Sequence, residues 1–179
     1  MITLQDNTVR FDANEVGFTR TNVDALCSLG SSSKVQSDQA TGHKGIGFKS
    51  VFKVADKVWI KSGHYSFKFD ARERLGTVNP IWTSFPGKER EGYTSIRLRL
   101  LPKLDLLALA DELLKLDAQL LLFLRKIQCI EVHVIPEKDQ RARPPRVLKR
   151  NADSRIPDGL QRFTLISDYA SAFLVSSHR

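Results

Sequence analysis

The run Gly42-His43-Lys44-Gly45-Ile46-Gly47-Phe48-Lys49-Ser50-Val51-Phe52 sets three glycines at G-x-x-G-x-G spacing ahead of an apolar, helix-compatible segment. Glycine tolerates positive φ and puts no Cβ between the backbone and a ligand. The first N–H groups of a helix lack internal partners, and the helix dipole adds positive potential there. The chemistry this supports is the holding of phosphate. Gly42, Gly45 and Gly47 would form the cradle, with backbone donors from His43 to Phe48 and positive charge from Lys44 and Lys49. Each charge-assisted bond of this kind contributes about 1.5–3 kcal/mol. The spacing alone also ends ordinary loops, so its surroundings must decide.

Those surroundings exclude two common phosphate sites. A dinucleotide fingerprint needs a strand immediately before the glycines. Residues 30–41 are small and polar and read as a loop. A Walker loop needs Gly-Lys followed by Ser or Thr, closing G-x-x-x-x-G, and none is present. After the glycines the order is helix, then a strand near 56–62 with Val58 and Ile60 on one face.

The elements that must position this run are legible on either side. Ile2–Leu4 and Val9–Phe11 read as short strands about a turn at Asp6-Asn7. Thr21-x-x-Asp24 has a capping form that predicts a helix over 22–29, with Gly30 as its stop. Tyr65–Phe69 and Thr94–Leu100 alternate as strands, the latter with Ile96, Leu98 and Leu100 on one face and Ser95, Arg97 and Arg99 on the other. Residues 71–91 read as irregular. Leu104–Ile127 is Leu-rich and divides into two helices if Asp117 caps the second. Residues 129–135 read as a strand, 137–158 as a basic loop containing Pro144 and Pro145, and 159–179 as terminal strands that begin a further region. Strands and helices without a regular βαβ order predict an α+β fold, a mixed β-sheet covered by helices.

In order and multiplicity these segments resemble the GHKL ATPases, the group of histidine kinases and heat-shock-ninety chaperones. The resemblance is closer to the large eukaryotic NO VEIN group and more distant to sacsin. It rests on Asn14-Glu15-Val16-Gly17-Phe18-Thr19, Ala25-Leu26-Cys27-Ser28-Leu29-Gly30 and Lys44-Gly45-Ile46-Gly47-Phe48-Lys49-Ser50-Val51-Phe52, and covers residues 1–136. It implies a Bergerat-type fold that binds ATP or ADP between a sheet and helices, under a lid. It implies that Asn14-Glu15-Val16-Gly17 stands where the family's D-x-G-x-G meets adenine. The residue four before Gly17 is Ala13. Asn14 or Glu15 would therefore take the acidic residue's place, with Asp12 near. Ser33 and Lys34 resemble the start of the lid, and Thr94 resembles the strand threonine at the adenine end, here preceded by Tyr93. The family's helix with a catalytic glutamate and a Mg²⁺-binding asparagine finds no counterpart before Asn14. The expectation is therefore an N-terminally incomplete domain of a larger protein that binds nucleotide. Hydrolysis has no assigned base, and Mg²⁺ has no asparagine ligand.

Composition supplies a competing expectation. The chain of 179 residues carries 28 Lys and Arg against 20 Asp and Glu. Much of the excess falls between Lys138 and Arg155, with seven cations and two carboxylates. That segment is either a solvated loop or a site for nucleic acid or another polyanion. The alternative function is thus a catalytically inactive interaction module that binds an acidic partner or nucleic acid. The N-terminus is unlike a signal peptide and the apolar runs are short, so a cytoplasmic or nuclear chain without a membrane partner is expected. Cys27 and Cys129 read as buried free thiols, and no His/Cys spacing points to a metal.

Overall fold

A computed structural model describes residues 1–27, 46–135, 144–155, 160–167 and 170–176. In chain order the elements begin with β1 (Ile2–Gln5), β2 (Thr8–Ala13), α1 (Arg20–Cys27), α2 (Ile46–Lys49) and a 3-10 turn at Ser50–Lys53. There follow β3 (Ala55–Ser62), β4 (Tyr65–Asp70), β5 (Ile81–Trp82), β6 (Thr94–Leu100), α3 (Leu106–Leu114) and α4 (Leu120–Phe123). The chain closes with β7 (Cys129–Ile135), β8 (Arg146–Arg155), β9 (Leu160–Ile166) and β10 (Ala170–Ser176). The expected α+β character is observed, with both parallel and antiparallel pairing. Two compact units form, one of Asn7–Leu104 and the other of Met1–Asp6 with Asp105–Arg179.

In the Asn7–Leu104 unit the strand order is β2-β6-β3-β4-β5, antiparallel throughout. Alternation along each strand sends Val9, Leu98, Leu100, Val58, Ile60, Phe67 and Phe69 to one face, where all are buried. Burying each of these side chains contributes about 1.5–3 kcal/mol. Phe48 on α2 packs its ring 5.5 Å from that of Phe69, which seats the helix on this face. The start of α1 lies two residues earlier than the sequence predicts. Asn22 Oδ1 accepts the Thr19 N–H at 2.8 Å while the Asn22 N–H reaches Thr19 Oγ1 at 3.4 Å. Thr19-x-x-Asn22, rather than Thr21-x-x-Asp24, is thus the reciprocal cap. Residues 71–79 make a tight turn. A Cβ on Gly76 would lie 1.8 Å from the Asp70 carbonyl oxygen, so only glycine fits.

In the other unit the order is β10-β9-β8-β7-β1, with β1 and β7 parallel and the rest antiparallel. Its core gathers Ala118, Leu121, Ile130, Val132, Leu148 and Leu165. The two-helix expectation is met. Asp105 caps α3 through the Leu107 and Ala108 N–H groups, and Asp117 accepts the Gln119 N–H just before α4. Residues 146–155 depart from the loop reading: they are β8, paired with β7 and β9. Among the described residues no helix is long and apolar enough to cross a membrane.

Candidate functional site

Thr94 and Ser62 close the apolar face of the Asn7–Leu104 sheet. Alternation in β6 puts Thr94 on the side of Ile96 and Leu98, and alternation in β3 puts Ser62 with Ile60 and Val58. The register that pairs Ile60 with Ile96 and Lys61 with Ser95 sets the two hydroxyls opposite one another. Their oxygens are 2.5 Å apart and both residues are buried. The Phe18 N–H donates to Ser62 Oγ at 2.7 Å. Gly17 favours this arrangement: its φ is +87°, in the left-handed region that suits glycine, and it lies beside Ser62. Of the two hydroxyl hydrogens, one lies between the oxygens and the other remains to donate elsewhere. The structure links the Gly17-Phe18 loop to Thr94 through Ser62, the last residue of β3, to which the sequence assigns no role. A signal existed: Ser62 continues the apolar face of β3 with a polar group.

The acidic candidates separate. Asp12 pairs with Ser95 in register while Ala13 pairs with Thr94, so Asp12 points to the opposite face. There it is buried and accepts bonds from Arg10 Nε at 2.8 Å and Ser95 Oγ at 2.5 Å, with Arg90 Nε at 3.9 Å. Asp12 cannot serve the Thr94 side. Asn14 and Glu15 lie exposed in the loop before Gly17, where the Glu15 N–H donates to the Ala13 carbonyl.

Gly47 lies on α2, and a Cβ there would meet nothing within 4 Å. Lys49 departs from the sequence reading of a residue adding charge for phosphate. Its Nζ donates to the Leu26 carbonyl at 2.7 Å and to the Thr77 carbonyl, and it stands 4.8 Å from the centre of the Phe69 ring. It ties α1, α2 and the 71–79 turn together. Burial pulls its pKa down, opposed by the Cys27 thiol, and burial pushes Cys27 up. Ser33, Lys34, Gly42, Lys44 and Gly45 lie outside the described residues. Cys27 and Cys129 are free, but neither is buried as expected: Cys27 is half-buried and Cys129 exposed.

The basic 138–155 segment is partly consumed by structure. Arg146 donates to the Leu116 carbonyl, and Arg150 donates to those of Leu121 and Arg125. Both tie β8 to carbonyls of α4 and of the segments that follow α3 and α4. Lys149 is exposed, and Lys138, Arg141 and Arg143 lie outside the described residues. A second charged set surrounds Asp56 and Asp70. Hydrogen bonding from Arg99 holds Asp56 below the usual carboxylate range, aided by Arg72. Burial opposes the same effect at Asp70, where Lys57 and the Arg72 N–H outweigh it.

Among the described residues no group of three or more His, Cys, Asp and Glu is placed to hold a metal. No family model matches the chain. The chain is 44% identical over 84 residues to Protein NO VEIN of Arabidopsis thaliana, an alignment covering 46% of this chain and 3% of that protein. Over that stretch the chain is NO VEIN-like, and it spans a small fraction of its relative's length.

Proposed function

We propose that the Asn7–Leu104 unit is a GHKL-type domain of the Bergerat kind, which binds ATP or ADP and works inside a larger protein. The observation that carries this reading is the contact of the Gly17-Phe18 loop with the buried Ser62–Thr94 pair. A loop glycine at positive φ, held through Ser62 to a strand threonine, fits the adenine end that the GHKL resemblance implies. The pair keeps one hydroxyl hydrogen to offer a base. Two further points support it. Among the described residues, nothing stands within 4 Å of where a Cβ on the exposed Gly47 would lie, so its backbone is open to approach. The partial similarity to NO VEIN supports the part of the resemblance that points to that group. The proposal is one of binding. Mg²⁺ would arrive with the nucleotide, and no residue is assigned to hydrolysis.

Titration calorimetry with ADP and with Mg-ATP tests the proposal. Saturable heat is expected, abolished by joint Gly45→Val and Gly47→Val substitution and weakened by Thr94→Val. A folded protein that takes up neither nucleotide at millimolar concentration refutes it.

A further inference from the structure

The opposite face of β6-β3-β4 carries a different chemistry. Register sets Trp59 between Arg97 on β6 and Lys68 on β4, three residues in one row across the strands. The next row holds Arg99, Lys57 and Asp70. Directly opposed residues share a face, and neighbouring strands lie about 4.8 Å apart. An indole is thus bracketed by an arginine and a lysine, each one strand away. Arg72 joins the patch through its 2.6 Å bond to Asp56.

Six cations here, Lys57, Lys61, Lys68, Arg72, Arg97 and Arg99, face three carboxylates, Asp56, Asp70 and Glu89, the last meeting Lys61 at 3.2 Å. The carboxylates are already engaged. Arg99 grips Asp56 with two bonds of 2.7 and 2.9 Å, and Lys57 meets Asp70 at 2.7 Å. Lys68 stands further off, 3.9 Å from Asp70. Arg97 donates to neutral oxygens, the Pro86 carbonyl at 3.0 Å and Thr8 Oγ1 at 3.5 Å. Lys68 and Arg97 are half-buried, and neither meets a carboxylate at hydrogen-bond distance, so their charge is not neutralised by a close partner. On the β2 side the strip has a wall, where Phe85 is buried under the Arg10 guanidinium and Arg10 donates to the Lys88 carbonyl.

A sheet face that alternates cations with an aromatic ring suits bases that stack and phosphates that seek positive charge. An acidic peptide would use the charge but not the indole between the cations. We infer that the Arg97-Trp59-Lys68 face of β6-β3-β4 docks single-stranded nucleic acid. This site is separate from the 138–155 segment and does not depend on nucleotide binding at the Thr94 side.

Fluorescence anisotropy of the full chain with labelled oligo-dT and oligo-U of about 12 nucleotides tests it, without added ATP, across a salt series. Lys68→Gln loses only the 3.9 Å contact, so its fold is retained. It should weaken binding and flatten the salt slope by about 0.7. Trp59→Leu keeps apolar contact and should weaken binding about 5- to 150-fold, the range for a lost stacking ring. Lys149→Gln in the other unit should change little. Binding that ignores both sheet-face variants, or no binding at all, overturns the inference. Equal competition by polyglutamate of matching charge also overturns it, in favour of an acidic protein partner.

Discussion

Replacing Thr94 by Val removes one oxygen, keeps the side-chain shape, and tests the centre of the proposed site. Ser62 Oγ keeps the Phe18 N–H at 2.7 Å but loses its 2.5 Å partner and faces a methyl group instead. Ser62 is fully buried, so water does not replace the lost bond. A buried polar group stripped of its partner costs about 1–3 kcal/mol. For a chain of this length that lowers Tm by about 2–4 °C per kcal/mol. Ser62→Ala breaks both bonds and should cost more. The double variant should cost less than the two single losses added together, with a coupling of about 0.5–3 kcal/mol. Calorimetric melts measure the cycle, and hydrogen exchange at the Phe18 amide localises it. Ser62→Ala should release that amide, and Thr94→Val should leave it largely protected. Nucleotide affinity should fall about 2- to 12-fold in Thr94→Val if its hydroxyl network meets the base with one ordinary hydrogen bond. A Thr94→Val variant as stable as the parent, or a strictly additive cycle, refutes the geometry.

Gly76→Ala should lose more than about 3 kcal/mol, because the new Cβ would meet the Asp70 backbone carbonyl at 1.8 Å. A melt within 2–4 °C of the parent, the shift for about 1 kcal/mol, would show the turn to be wrong. Lys49→Met strips the Leu26 and Thr77 carbonyls of their donor and should cost about 1–3 kcal/mol. Because burial lowers the Lys49 pKa, the unfolded chain holds that proton more tightly. Parent stability should therefore rise as pH approaches the ordinary lysine value of about 10.4, and the Met variant should lack that rise. Asp56 has the opposite dependence. Its folded pKa is depressed, chiefly by the Arg99 bond, so its contribution is present above about pH 3.9 and is lost as pH falls through the folded value. Urea titrations of parent and Asp56→Asn should converge below that point, and curves that stay parallel would remove Asp56 from the acid response.

Strands were the most legible elements, because their period is local. The alternation in Thr94–Leu100 already sorts Ile96 and Leu98 from Arg97 and Arg99, and the same sorting is observed. The helix cap at Thr19-Asn22 was missed because Thr21-x-x-Asp24 satisfies the same pattern two residues on, and only backbone geometry chooses between them. Strand β8 was hidden by Pro144, Pro145 and dense charge. Its pairing with β7 and β9 is long-range and outweighs local composition. Ser62 and Thr94 stand 32 residues apart, so nothing local links them until register does.

The order of segments, the alternating faces and the glycine-rich run are properties of the sequence alone, since each follows from residue type and spacing. Which side chains meet is a property of the tertiary structure. Strand register turned Asp12 away from Thr94, joined Ser62 to it and set Trp59 between two cations. A shift of one residue would reverse every one of those faces, and no local pattern specifies which partner strand supplies the opposite residue.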